Sequence, residues 1–112
     1  MAFSNASLGG IVQVSTGSTV GLVTVANSKK VYIRSIAAYD VTGGGGVAHV
    51  YVVPNGGSVS EATKLFNITL SPQETALVEP VYPIVLDTTG DSLRVGTATS
   101  SVNFFITGDT EA

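Results

Sequence analysis

The sequence predicts an all-β chain, an antiparallel β-sandwich of jelly-roll-like form. Runs rich in Val, Ile, Thr and Tyr recur about every ten to twelve residues, the spacing of short strands in a sandwich or barrel. Residues suited to tight backbone reversal separate those runs, and no long helical period competes with them. The 112 residues allow one domain, large enough to bury roughly two thirds of the surface its unfolded chain would expose.

Residues 1–10 are small, polar and end in Gly9-Gly10, with Phe3 and Leu8 as the only sizeable anchors, so they read as a flexible arm ahead of a domain at 11–108. A first strand at 11–16 turns through Ser15-Thr16-Gly17-Ser18 into a second at 19–26, where Val20 and Leu22 face away from Val23 and Val25. Asn27-Ser28 turns the chain into a third strand at 30–40, in which Val31 and Ile33 face away from Tyr32 and Ile36. Gly43 to Gly46 have no side chains to pack and form a mobile loop tip; they lack the spacing and following helix of a phosphate loop. The fourth strand, 47–53, opposes Val50 and Val52 to Val47, Tyr51 and Val53.

Beyond the turn Pro54-Asn55-Gly56-Gly57, Ser58-Val59-Ser60-Glu61 has capping-box spacing and predicts a single helical turn. The later strands alternate cleanly: Phe66, Ile68 and Leu70 oppose Leu65, Asn67 and Thr69 in 64–70, and Leu93 and Val95 oppose Ser92 and Arg94 in 92–98. In 101–107, Val102, Phe104 and Ile106 oppose Ser101, Asn103 and Thr107. Short strands at 73–78 and 83–86 lie on either side of Pro80-Val81-Tyr82-Pro83, whose prolines interrupt ladder pairing and leave Tyr82 to plug an end of the sandwich. Ser71-Pro72 and Thr89-Gly90-Asp91 supply turns, and 109–112 form a C-terminal tail.

Only 12% of the residues are charged while 44% are hydrophobic, which weakens the self-repulsion that keeps chains apart. Strands between Val20 and Val53 need cover on both faces, and a small sandwich leaves its outer faces to water. A neighbouring subunit is therefore the expected cover, with Tyr32, Ile36, Tyr51 and Val53 forming the contact and Phe3 and Leu8 gripping from the arm.

Little in the sequence suggests chemistry. The net charge is −3, and the five basic residues, Lys29, Lys30, Lys64, Arg34 and Arg94, form no stripe for nucleic acid. Lys29-Lys30 reads as a solubilising device at a strand edge. The lone His49 rules out a two-histidine metal centre and reads as a strand histidine. Asp87 and Asp91 flank a turn and stabilise it more readily than they bind calcium; Glu74 and Glu79 are the other close carboxylates. No metal, cofactor or catalytic set is predicted. The absence of cysteine leaves packing and backbone pairing to hold the fold, no secretory signal or eighteen-residue apolar run is visible, and the two Asn-x-Ser/Thr sequons, at Asn5 and Asn67, read as chance.

The stretches Lys30-Val31-Tyr32-Ile33-Arg34-Ser35-Ile36, Val50-Tyr51-Val52-Val53-Pro54-Asn55-Gly56-Gly57, Leu70-Ser71-Pro72-Gln73-Glu74-Thr75, Gly90-Asp91-Ser92-Leu93 and Val102-Asn103-Phe104-Phe105-Ile106-Thr107-Gly108 occur in an order that resembles small all-β virion proteins of tailed bacteriophages. The resemblance covers about three quarters of the chain and carries no catalytic residue. It implies a non-enzymatic capsid decoration (cement) protein bound to the major capsid protein, or else a tail or head-tail accessory protein. It also implies self-association, often as trimers, in a virion assembled in the host cytoplasm. A carbohydrate-binding module shares the sandwich but stacks sugars on exposed aromatics; a hydrolase would need a nucleophile elbow or metal ligands that this sequence does not present.

Overall fold

A computed structural model describes residues 3–15, 17–41, 45–98 and 100–111, with the backbone alone for 3–9. The described residues form nine strands: β1 (Phe3–Val14), β2 (Thr19–Thr24), β3 (Lys30–Asp40), β4 (Gly46–Val53), β5 (Lys64–Leu70), β6 (Thr75–Val78), β7 (Ile84–Leu86), β8 (Ser92–Thr97) and β9 (Val102–Glu111). Each of the nine expected strand segments corresponds to one of them. Two antiparallel sheets result. One runs β1-β9-β3-β6 with β7 also on β3, and the other runs β2-β8-β4-β5. β6 pairs with Ile36 to Tyr39 and β7 with Val31 to Ile33, so the two share one strand position along β3. Counted that way, each sheet has four strand positions, the arrangement of a jelly roll.

The two expected termini are different in the structure. Residues 3–10 of the segment expected as an arm are the first part of β1, paired with β9 from Phe3↔Glu111 to Ser7↔Thr107, while Met1 and Ala2 lie outside the described residues. Gly9-Gly10 does not end the strand; the register shifts between Ser7 and Ile11, and Gly10, at φ 69°, takes up the irregularity without a Cβ penalty. Residues 109–111 of the expected tail likewise continue β9, with Asp109 and Glu111 buried, while Ala112 lies outside the described residues. The predicted helical turn is a hydrogen-bonded turn two residues later. There Ser60 Oγ accepts from Ala62 N–H at 3.2 Å, and Thr63 Oγ1 accepts from Ser60 N–H at 3.0 Å. Of the predicted glycine loop, Gly43 and Gly44 lie outside the described residues, while Gly46 opens β4.

Between the sheets Phe104, Ile33, Ile36, Leu86, Leu93 and Ile106 are fully buried. Asp40, fully buried at the end of β3, joins two crossings between the sheets: its Oδ2 accepts from Gly45 N–H at 2.8 Å and from Gln73 N–H at 3.2 Å. At another crossing, Gly90 (φ 91°) sits so close to Asn55 that a Cβ would fall 2.4 Å from its Oδ1. Asn55 N–H donates to Asp91 Oδ1 at 3.0 Å there, so the Asp91 side chain ties the turn at 54–57 to the 87–91 connection rather than closing its own turn by a local bond.

Candidate contact surface

Strand alternation places one residue of each pair on the outer face of a sheet, and in the β1-β9-β3-β6 sheet that face carries an apolar row. Ile11 pairs with Phe105, Phe105 with Ala37, and Ala37 with Leu77, so four apolar side chains cross the whole sheet. Ile11 is 72% exposed and Leu77 57% exposed. Beside the row a shallow groove of about 170 Å³ runs between Ile11, Tyr39, Thr75, Asn103 and Phe105. The doublets Ala37-Ala38 and Phe104-Phe105 put one apolar residue into the core and its neighbour onto this face. Those doublets were the available sequence signal for the surface, and the alternation assigned to 101–107 passes over Phe105.

The same face becomes polar towards the other end of β3 and β9. Ser35 Oγ and Thr107 Oγ1 lie 2.5 Å apart, Arg34 Nε donates to Asp109 Oδ2 at 2.5 Å, and Tyr32 OH donates to Glu111 Oε1 at 2.9 Å. The hydrogen bond to Glu111 raises the Tyr32 pKa above its ordinary value, with desolvation and the Glu111 and Asp87 charges adding to the effect. These pairs hold the last strand to β3 and separate the apolar row from the chain terminus.

The predicted contact residues do not come together. Tyr32 is on this face, half-buried among the polar pairs. Ile36 is not: β3 bulges between Ile33 and Ser35, which turns Ile36 into the core at 0% exposure. Tyr51 and Val53 face outward on the other sheet but are already covered within the chain, at 8% and 1% exposure. The Lys64 ammonium sits 5.9 Å from the Tyr51 ring centre and donates to Glu61 at 2.7 Å, and His49 Nδ1 lies 2.6 Å from Asn67 Oδ1. Phe3 and Leu8 have their backbones in β1, and their side chains lie outside the described residues.

Tyr82 also departs from expectation. It plugs nothing: Val81 and Tyr82 stand 91% and 82% exposed between the two prolines. Among the described residues no group of three or more His, Asp or Glu could hold a metal ion, and no helix is long and apolar enough to cross a membrane. Glu74 is committed to its turn, its Oε1 accepting from Ser71 N–H at 2.8 Å.

No family model matches the sequence, and no curated protein matches it. Solved structures do. A chain of the disulfide-linked pili of Bacillus endospore appendages is 13% identical with a TM-score of 0.53, over 98% of this chain and 88% of that one. The Drosophila NLP core, described for pentamer formation and histone binding, is 19% identical with a TM-score of 0.53, over 98% of both chains. A chain from the virus-like particle of the extra small virus of the prawn Macrobrachium rosenbergii is 10% identical with a TM-score of 0.46, over all of this chain and 81% of that one. At these identities what the two matches with TM-scores of 0.53 share with this chain is the fold alone, an all-β sandwich.

Proposed function

We propose that the chain is a non-enzymatic structural protein of a phage virion, a capsid decoration protein that bridges and stabilises major capsid subunits. The observation that carries this reading is the apolar row Ile11, Phe105, Ala37 and Leu77, which spans the sheet and is left uncovered by the chain itself. The order of motifs resembling tailed-phage virion proteins supports it, as does the low share of charge. In this reading the row docks on the shell, burying apolar surface at about 25 cal/mol per Å² in an interface that exists only in the assembled particle. The chain is made in the host cytoplasm, self-associates, as trimers in the form the resemblance implies, and ends in the virion.

The test is its copy number relative to the major capsid protein in purified particles of its source, by quantitative peptide mass spectrometry, with thermal genome release measured beside it. Hundreds of copies, and particles that lose their genome at lower temperature without the chain or with Leu77→Asp in it, are expected. A few copies to some tens would move it to the tail or the head-tail junction. Absence from particles would overturn the virion reading.

A further inference from the structure

Five asparagines occur in the chain, and Asn55 alone is followed by glycine. Glycine has no Cβ beside its nitrogen, which makes it the least hindered backbone nucleophile toward the side-chain amide of the residue before it. The structure singles out the same residue. Asn67 and Asn103 lie in β5 and β9, where ladder pairing fixes the backbone and the bulky Ile68 and Phe104 follow, and Asn67 Oδ1 is also 2.6 Å from His49 Nδ1. Asn5 has its backbone in β1, opposite Asp109. Asn27 is exposed, but the Cβ of Ser28 crowds the nitrogen that follows it. Asn55 and Gly56 are both exposed in the 54–57 turn, and no atom lies within 4 Å of a Cβ built on Gly56.

The surroundings of Asn55 would give its conversion a structural consequence. A Cβ on residue 90 would fall 2.6 Å from Asn55 Cγ, so the side chain rests directly on the Gly90 backbone. That backbone is held in place: Gly90 N–H donates to Val25 O at 3.1 Å, and Val25 N–H donates to Asp91 O at 2.9 Å. Asn55 N–H donates to Asp91 Oδ1 at 3.0 Å, and Gly57 N–H closes the turn on Pro54 O at 2.8 Å. A carboxylate, that of Asp91, thus already stands beside the residue that carries the neutral amide.

We propose that Asn55 is a self-modification site: the Gly56 nitrogen attacks Asn55 Cγ, and the cyclic imide so formed opens to a carboxylate that unfastens the 54–57 turn from the 87–91 connection. The Gly56 N–Cγ bond forms as the Cγ–Nδ2 bond breaks, and Nδ2 leaves as ammonia with the proton given up by Gly56. Water then adds to either carbonyl of the imide. Opening at Cγ leaves aspartate, whereas opening at the backbone carbonyl leaves isoaspartate, whose main chain runs through Cβ and is longer by that carbon. No oxidant, metal or enzyme takes part. Either product sets a second anion beside Asp91, and like charges at that spacing repel. The isoaspartate form also shifts the Asn55 and Gly57 N–H groups relative to their acceptors. Neither the apolar row nor its partner is involved, so the proposal holds whether or not the chain docks on a shell.

The experiment incubates the purified chain alone in mildly alkaline buffer and follows it by tryptic peptide mass spectrometry. Cleavage after Arg34 and Lys64 gives a peptide whose only asparagine is Asn55, and the other four asparagines fall in other peptides. The 35–64 peptide is expected to exchange its amide for a carboxylate before any other and to split into two chromatographic forms of equal mass. The melting midpoint of the aged chain should fall by about 4 °C, the shift that loss of one hydrogen bond brings in a domain of this size. Asn55→Gln keeps an amide but must close a larger ring, so its aged and fresh samples should melt alike. Asn55→Asp, which brings the charge without lengthening the main chain, should melt below the wild type before any ageing. Loss of the amide at Asn27 or at any other asparagine ahead of Asn55 would overturn the proposal. So would a chain converted at Asn55 with an unchanged midpoint, or an aged Asn55→Gln variant whose midpoint falls as far as that of the wild type.

Discussion

The two sheets face the same problem and solve it differently. Both contain strands that are apolar on both sides, yet in the β2-β8-β4-β5 sheet the outward Tyr51 and Val53 are covered within the chain, with Lys64 over the Tyr51 ring. In the β1-β9-β3-β6 sheet Ile11 and Leu77 remain open at the two ends of the apolar row. Loss of strand alternation thus shows that a face needs cover without showing what supplies it.

The sharpest way to break the comparison is to truncate one residue from each class. Ile36→Ala in the core should cost about 4 kcal/mol in urea unfolding and Tyr51→Ala on the covered face about 3 kcal/mol, while Leu77→Ala on the open face should stay within about 0.5 kcal/mol. Equal losses for Tyr51 and Leu77 would erase the distinction between the sheets.

A middle-sized effect is expected where the sheets are joined. Asp40→Ala removes the acceptor for Gly45 N–H and Gln73 N–H, and should cost about 2 kcal/mol. Gln73 holds φ at 56°, a conformation that side chains adopt reluctantly, so the 71–74 turn should be the first to loosen. Amide hydrogen exchange that rises there and beside Gly45 before it rises in β8 would confirm the local origin of the loss.

The smallest effect separates the polar end of the open face from its apolar row. Tyr32→Phe removes the hydrogen bond to Glu111 and should lower stability slightly. Because the folded pKa of Tyr32 is raised above 10.0, that contribution is complete below the unfolded value and is lost as pH rises through the folded one. The difference between wild type and variant should therefore be constant through neutral pH and shrink only in strong alkali. A difference that already changes between pH 6 and 8, within the ordinary histidine range, would assign the effect to another group.

Much of this was legible in the residues. Period-two patterning and turn chemistry placed nine strands, and Phe66, Ile68 and Leu70 point inward as read. The face assignment failed at Ile36 because one extra residue, Arg34, bulges out of the ladder with β9 and reverses every side chain beyond it. The arm was misread because a Gly pair marks a strand irregularity as readily as a strand end. Tyr82 was misplaced because its prolines were read as interrupting pairing, which they do, without any measure of how far the tip between them stands out.

Sequence alone determined the class of fold, the number of strands, the rough bounds of β2 to β8, and the absence of cysteine chemistry, because these depend on local propensity, period and composition. Only the tertiary structure decided which apolar faces are closed by the chain and which stay open. That outcome depends on bulges, on pairing between β1 and β9 at opposite ends of the sequence, and on which side chains of a neighbouring strand reach across a face, as Lys64 does at Tyr51. Each is a long-range geometric condition, and no window of neighbouring residues contains it.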